Sequence, residues 1–156
     1  MPVKISALPT RAEDMFCYGV YTAAHVINRA YTPLLTKLGL TYPQYITLTL
    51  LWECDGQRVT ELAEKLRMGT NTLTPLIKRL EAQNLVERSR DTHDSRAICI
   101  RLTPQGRALQ SKAPDITACM VNATTLTHNE LCELQRLLGK LSSGLAAKQA
   151  GYRTAP

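Results

Sequence analysis

Residues 59–86 read VTELAEKLRMGTNTLTPLIKRLEAQNLV, and their pattern decides the fold. Val59, Leu62, Ala63 and Leu66 recur at helical spacing with charged side chains opposite them, which predicts a short amphipathic helix. Gly69 is expected to break it. TNTLTPLIKRLEAQNLV (70–86) then starts a second helix, with Leu73, Leu76, Ile77 and Leu80 inward and Asn71, Thr74, Lys78 and Arg79 outward. Two short helices joined by a tight glycine-containing turn make a helix-turn-helix.

Beyond this motif the period changes. VERSR (86–90) and AICIRL (97–102) are short alternating runs around the turn-rich hexapeptide DTHDSR (91–96), which includes His93. They predict a two-stranded β-hairpin with an exposed tip. Thr103 and Pro104 then open a helix, TPQGRALQSKA, which Pro114 ends or kinks. Thr127 and Glu130 make a capping box before a stripe at Leu131, Leu134, Leu137, Leu138, Leu141 and Leu145. That last helix is expected to reach about Lys148, leaving GYRTAP as a loose tail.

On the N-terminal side, Thr10 and Glu13 form another capping box, so the first helix is expected to begin near Arg11. Its stripe is Phe16, Val20, Ala24, Ile27, Tyr31, Leu34 and Leu38; Pro33 should bend or interrupt it, and Gly39 offers a left-handed stop. Thr41 with Gln44 repeats the capping signature ahead of YITLTLLWE (45–53), a buried second helix ending near Asp55 and Gly56. The fold expected is mainly α with a small β-hairpin (α+β): a winged helix-turn-helix at about 57–102, flanked by helices at 11–55 and 104–148. The flanking stripes suit an intertwined homodimer, whose two-fold axis would set two recognition helices one DNA turn apart.

The 156 residues, 44% of them hydrophobic, suffice for one domain with a core that needs no disulfide staples. Between Lys65 and Arg101 eight Lys or Arg face four Asp or Glu, so this segment holds +4 of the formal +6 charge. A local basic excess is what a phosphate-contacting surface needs, and also what a solvated face looks like. No signal-peptide core is visible, and no run approaches the roughly 20 apolar residues of a membrane span, so a soluble cytoplasmic protein is expected. Cys17, Cys54, Cys99, Cys119 and Cys132 are odd in number, widely spaced and free of CxxC pairs, which argues against a disulfide framework and a zinc site. No metal and no cofactor are expected. Seven of the eight aromatic residues precede position 53, with Tyr152 the exception, so the N-terminal part makes some use of rings or phenols.

LGLTYPQYITLTLLWE (38–53), VTELAEKL (59–66), TLTPLIKRLEAQNLVERSR (72–90) and DSRAICIRLTPQGRAL (94–109) resemble the MarR transcriptional regulators, across roughly residues 12 to 146. Asp94-x-Arg96 followed by LTPQG matches the family at large. Cys17 with Tyr21, Tyr31 and Tyr42 resembles the narrower OhrR group of organic-hydroperoxide sensors. The resemblance implies a homodimeric repressor, not an enzyme, that binds double-stranded palindromic operator DNA when reduced and releases it when oxidised.

A winged helix sends the second helix of its motif into the major groove. Thr70, Asn71, Thr72, Thr74 and Pro75 occupy its first turns, where hydroxyls and an amide can meet base edges and a methyl or proline ring can meet thymine, with Lys78 and Arg79 a turn or two later. Thr70 is read as a helix cap and phosphate contact. Arg96 is placed to enter a narrow minor groove, and Asp94 to hold it or the wing, roles the resemblance supports. Arg88 and Arg90 are either phosphate contacts or solvent-facing charges.

A cysteine in an apolar helix is usually an inert core residue. The OhrR resemblance instead implies that Cys17 is oxidised and that tyrosine hydroxyls donate to its thiolate. Tyr21 lies one turn from Cys17, whereas Tyr31, fourteen residues on, is displaced about 21 Å along a straight helix. If Tyr31 and Tyr42 reach the sulfur, they come from the second subunit. Phe16 and neighbouring rings would favour an alkyl or lipid hydroperoxide as effector. The resemblance also implies a resolving thiol from the partner subunit after the wing-following helix, where DITACMVNAT (115–124) supplies Cys119, although its spacing departs from the family's, which points to Asn122 rather than to Cys119; a small-molecule thiol is the alternative. Cys132 is expected in the core of the last helix, and Cys54 and Cys99 as structural. A rival within the family is a repressor released by a small phenolic or antibiotic-like ligand in the dimer cleft. A second rival, a peroxide-reducing thiol enzyme, leaves the helix-turn-helix unexplained.

Overall fold

The computed structural model describes residues 11–91, 94 and 96–153. It divides into two compact units, one ending at Ile116 and one beginning at Thr117. Thr10, His93 and the last three residues lie outside the described residues.

In the first unit a single 3₁₀ turn, Ala12–Asp14, precedes α1 (Phe16–Thr36). The helix therefore starts at Phe16 and not near Arg11, because Met15 is in an extended conformation (φ −87°, ψ 122°). Pro33 does not interrupt α1. The carbonyl it leaves without a donor is that of Arg29, and both residues are exposed, so water can serve the orphan. Gly39 (φ +68°) makes the expected left-handed stop. Helix α2 (Tyr42–Glu53) opens as predicted, with the Thr41 N–H donating to Gln44 Oε1 at 2.8 Å.

Helices α3 (Val59–Leu66) and α4 (Thr70–Ala82) form the helix-turn-helix. The left-handed residue that stops α3 is Arg67 (φ 52°), while Gly69 has an ordinary φ of −68° and caps α4. Strands β2 (Val86–Arg90) and β3 (Ile98–Leu102) pair antiparallel with Arg88 opposite Ile100. The wing has a third strand that the sequence did not announce, β1 (Gln57–Arg58), giving the order β1-β3-β2. The core joins Leu35, Leu48, Leu51, Leu62, Leu73, Ile77, Leu80, Val86 and Ile100, so the motif and its wing share one hydrophobic interior.

Thr103 caps α5 (Pro104–Ala108), its hydroxyl accepting the Gly106 N–H at 3.0 Å. A Cβ at Gly106 would stand 2.0 Å from the Leu85 carbonyl oxygen, which is why only glycine fits there. A 3₁₀ segment, Leu109–Lys112, leads into α6 (Ala113–Ala123). Pro114 thus neither ends nor kinks a helix; it sits in the first turn of α6, where a missing N–H costs nothing. In the second unit the Thr127 N–H donates to Glu130 Oε2 at 2.7 Å and α7 (His128–Arg153) follows, running past Lys148 into the segment expected to be loose.

Candidate DNA-binding surface and thiol site

Thr70, Asn71, Thr72, Pro75, Lys78 and Arg79 are exposed on α4, opposite the buried Leu73, Ile77 and Leu80. Gly69 and not Thr70 occupies the capping position, which leaves the Thr70 side chain free of that duty. The Thr74 hydroxyl donates to the Thr70 carbonyl at 2.7 Å, so only its lone pairs remain for an outside donor. Beside α4, a cavity of about 250 Å³ is lined by Arg58, Thr60, Thr74, Ile77, Arg88 and Arg96 among others. Arg88 is half-buried, its side chain 27% exposed. Its Nε lies 3.1 Å from Glu81 Oε2, yet its buried Nε and Nη2 make no hydrogen bond. Arg90 and Arg96 are exposed. The Arg96 N–H donates to Asp94 Oδ1 at 3.0 Å, so Asp94 shapes the wing turn through the backbone.

Cys17 is the second residue of α1 and is exposed, as are its neighbours Phe16 and Tyr18. Tyr21 follows one turn later, 63% exposed, with its ring edge-on to His25 at 4.5 Å between centroids. With Val20, Val26 and Ile27 also exposed, the N-terminal half of α1 presents an apolar, aromatic surface larger than scattered surface residues explain. Tyr31 and Tyr42 are brought together instead at the far end of α1, their rings stacked at 4.4 Å. Tyr45 lies 6.0 Å from Tyr31 and 5.9 Å from Trp52, whose Nε1–H donates to the Gly106 carbonyl at 2.9 Å. Burial pushes the Tyr31 hydroxyl above the usual phenol value, with Tyr42 and Tyr45 adding to it; burial and then Tyr45 do the same for Tyr42. Both phenols therefore remain hydrogen-bond donors throughout the neutral range.

The other thiols divide differently from expectation. Cys99 is buried in β3, and burial, then its hydrogen bond to Asp91, push its thiol up, which suits an inert structural role. Cys54, at the C-terminal cap of α2, is exposed. Cys132 is also exposed and not core, its sulfur 3.6 Å from His128 Nε2, because the stripe of α7 is itself uncovered within its own unit. Cys119 is exposed on α6. Among the described residues no group of three or more His, Cys, Asp or Glu is placed to hold a metal ion, and no helix is long and apolar enough to cross a membrane.

The edge-to-face pair of Tyr45 and Trp52, the ion pair of Arg88 with Glu81 and the contact of Arg58 with Asp91 were not found in the sequence. Tyr45 and Trp52 are visible there only as buried-helix residues, and Arg58 and Asp91 are 33 positions apart, beyond any local pattern.

Residues 29–113 match the family described as transcriptional regulator SarA/Rot. The chain is 42% identical over 135 residues to the HTH-type transcriptional regulator TtmR of Methylorubrum extorquens, covering 86% of this chain and 68% of that one. It is 36% identical over 138 residues to the organic hydroperoxide resistance transcriptional regulator of Bacillus subtilis, covering 88% and 94%. Among solved structures, reduced AbfR bound to DNA superposes with a TM-score of 0.74 at 28% identity, covering 86% and 92%; AbfR is also known in an overoxidised form bound to DNA and a disulfide form. A helix-turn-helix and wing sharing one core, matched along most of their length by DNA-binding regulators, place this chain in the MarR family of transcriptional regulators, among its SarA/Rot-type members.

Proposed function

We propose that this regulator is a homodimeric repressor that senses organic hydroperoxides through Cys17 and releases its operator when that thiol is oxidised. The observation behind this reading is the placement of Cys17: an exposed thiol in the first turn of α1, set in an aromatic, apolar surface. The first turn of a helix favours negative charge, and an apolar surround favours an organic peroxide over a small polar one. The relatives named for hydroperoxide resistance and for oxidised states support the same chemistry.

The thiolate attacks the distal peroxide oxygen, the O–O bond breaks, and the alkoxide leaves and takes up a proton as the alcohol. Cysteine becomes a sulfenic acid, oxidised by two electrons. A second thiol then displaces water to give a disulfide. We assign that thiol to Cys119 of the partner subunit, with a small-molecule thiol as the alternative. Tyr21 acts within the chain, while Tyr31, about 21 Å up the unbroken α1 from Cys17, and Tyr42, stacked on it from the start of α2, serve the partner's sulfur. DNA is held by Asn71, Thr72, Thr74 and Pro75 at base edges, by Thr70, Lys78, Arg79, Arg88 and Arg90 at phosphates, and by Arg96 at the wing, whose turn Asp94 holds in place.

The test is non-reducing electrophoresis after cumene hydroperoxide. The parent gives a covalent dimer, and Cys17→Ser and Cys119→Ser do not. A covalent dimer that persists in Cys17→Ser overturns the sensor assignment; one that persists only in Cys119→Ser overturns that residue as partner. A second reading, release by a small phenolic ligand, is supported by the cavity of about 250 Å³ beside Thr74, into whose lining Arg88 brings a guanidinium already ion-paired with Glu81 at 3.1 Å. It requires no Cys17, so a ligand-induced release undiminished in Cys17→Ser would select it.

A further inference from the structure

We propose that Arg58 and Asp91 form a latch that sets the pose of the wing on DNA, with the Asp91 carboxylate as the positioning group for Arg96. The proposal rests on the reading of the wing as a DNA contact. Asp91 stands where β2 ends, and its N–H donates to the Ala97 carbonyl at 3.0 Å, closing the base of the turn. Its Oδ1 accepts the Asp94 N–H at 3.1 Å, and Asp94 in turn accepts from Arg96 N–H at 3.0 Å through Oδ1 and from Ala97 N–H at 2.9 Å through its carbonyl. One carboxylate oxygen therefore organises the turn that presents Arg96.

The other oxygen faces the helix-turn-helix. Asp91 Oδ2 accepts Arg58 Nε–H at 2.8 Å and the Cys99 thiol at 3.4 Å. Arg58 is itself anchored: its N–H donates to Glu61 Oε2 at 2.8 Å at the start of α3, and it pairs with Cys99 in the β1–β3 ladder. The Asp91 side chain is 11% exposed, so its charge is screened less than that of a surface pair, and the arginine holds two segments 33 residues apart in fixed relation. A two-residue strand such as β1 has little pairing of its own with which to fix this geometry.

The latch makes a prediction of sign. Removing a negative charge beside DNA strengthens binding if long-range electrostatics alone operates. The latch requires the reverse. The experiment is an anisotropy titration of the reduced, full-length protein against a fluorescent duplex that the parent selects from a random-sequence library, repeated over a range of salt. Asp91→Asn and Asp91→Ala weaken binding about fivefold or more. Arg58→Ala does so with the salt slope of the parent, Arg58→Lys recovers part of the loss, and Arg58→Ala adds little on top of Asp91→Ala. Tighter or unchanged binding by both Asp91 variants, with circular dichroism showing them folded, overturns the latch. A salt slope lowered by about one in Arg58→Ala makes Arg58 a phosphate contact and overturns it too. Should an Asp91 variant fail to fold, the Arg58→Lys and Arg58→Ala pair, made at the more exposed partner, decides between these outcomes. Arg96→Ala is the control: if it binds as the parent does, the wing reading itself fails, whereas weakening there without weakening at Asp91 removes the latch alone.

Discussion

Tyr31 and Tyr42 stack at 4.4 Å, and burial raises both hydroxyls above the ordinary phenol value. Between about pH 10, where an unfolded tyrosine ionises, and the higher folded value, the unfolded chain has lost protons that the folded chain retains. Stability from this pair is therefore complete below about pH 10 and falls as pH rises above it. Urea unfolding followed at alkaline pH should show that decline, and Tyr31→Phe should flatten it; a parent midpoint independent of pH in this window would contradict the assignment. At this scale the sequence was partly legible. Cys17 and Tyr21 are one turn apart by counting alone, but the start of α1 at Phe16, which puts the thiol in the first turn, depends on the extended backbone of Met15. Arg67 is a similar case: Gly69 looks like the stop of α3, yet the chain accepts a left-handed arginine at a cost of about 1–2 kcal/mol because the turn into α4 demands it two residues earlier.

At the scale of elements, the helix-turn-helix was legible because both helices are amphipathic, with Leu62, Leu73, Ile77 and Leu80 buried where the helical period puts them; the wing was legible from two short runs around a turn-rich hexapeptide, although β3 buries the adjacent Cys99 and Ile100 and exposes Ile98. Strand β1 was not, since two residues have no period, and the 3₁₀ segment at Leu109–Lys112 was hidden inside a helical pattern. The division of labour between α4 and the wing predicts different losses. Arg96→Ala should weaken DNA binding at least about tenfold at matched salt, a factor worth about 1.4 kcal/mol. It should leave the thermal midpoint unchanged, because Arg96 is exposed and outside the core. An unaltered affinity in an anisotropy titration would remove the wing from the DNA contact.

For the whole molecule, the exposed apolar surfaces are the features that a single chain does not explain. Phe16, Val20, Tyr21, Val26 and Ile27 on α1, and Leu134, Leu137, Leu138 and Leu145 on α7, are uncovered within their own units. In the proposed homodimer a second copy would bury both, and would bring a second set of Tyr31 and Tyr42 within the reach that helix length denies to the first. Under that proposal sensing and binding are coupled, because the thiol would lie on the surface that fixes the spacing of two recognition helices. The sequence carries these surfaces only as stripes too long for one reading head, because whatever covers them is not adjacent in the chain. The most direct measurement is operator anisotropy of the reduced protein during titration with cumene hydroperoxide, followed by dithiothreitol. The account predicts that the parent releases DNA near one equivalent of peroxide per Cys17 and rebinds on reduction, while Cys17→Ser stays bound throughout; release from Cys17→Ser at the same peroxide, or a parent that stays bound once Cys17 is oxidised, would contradict it.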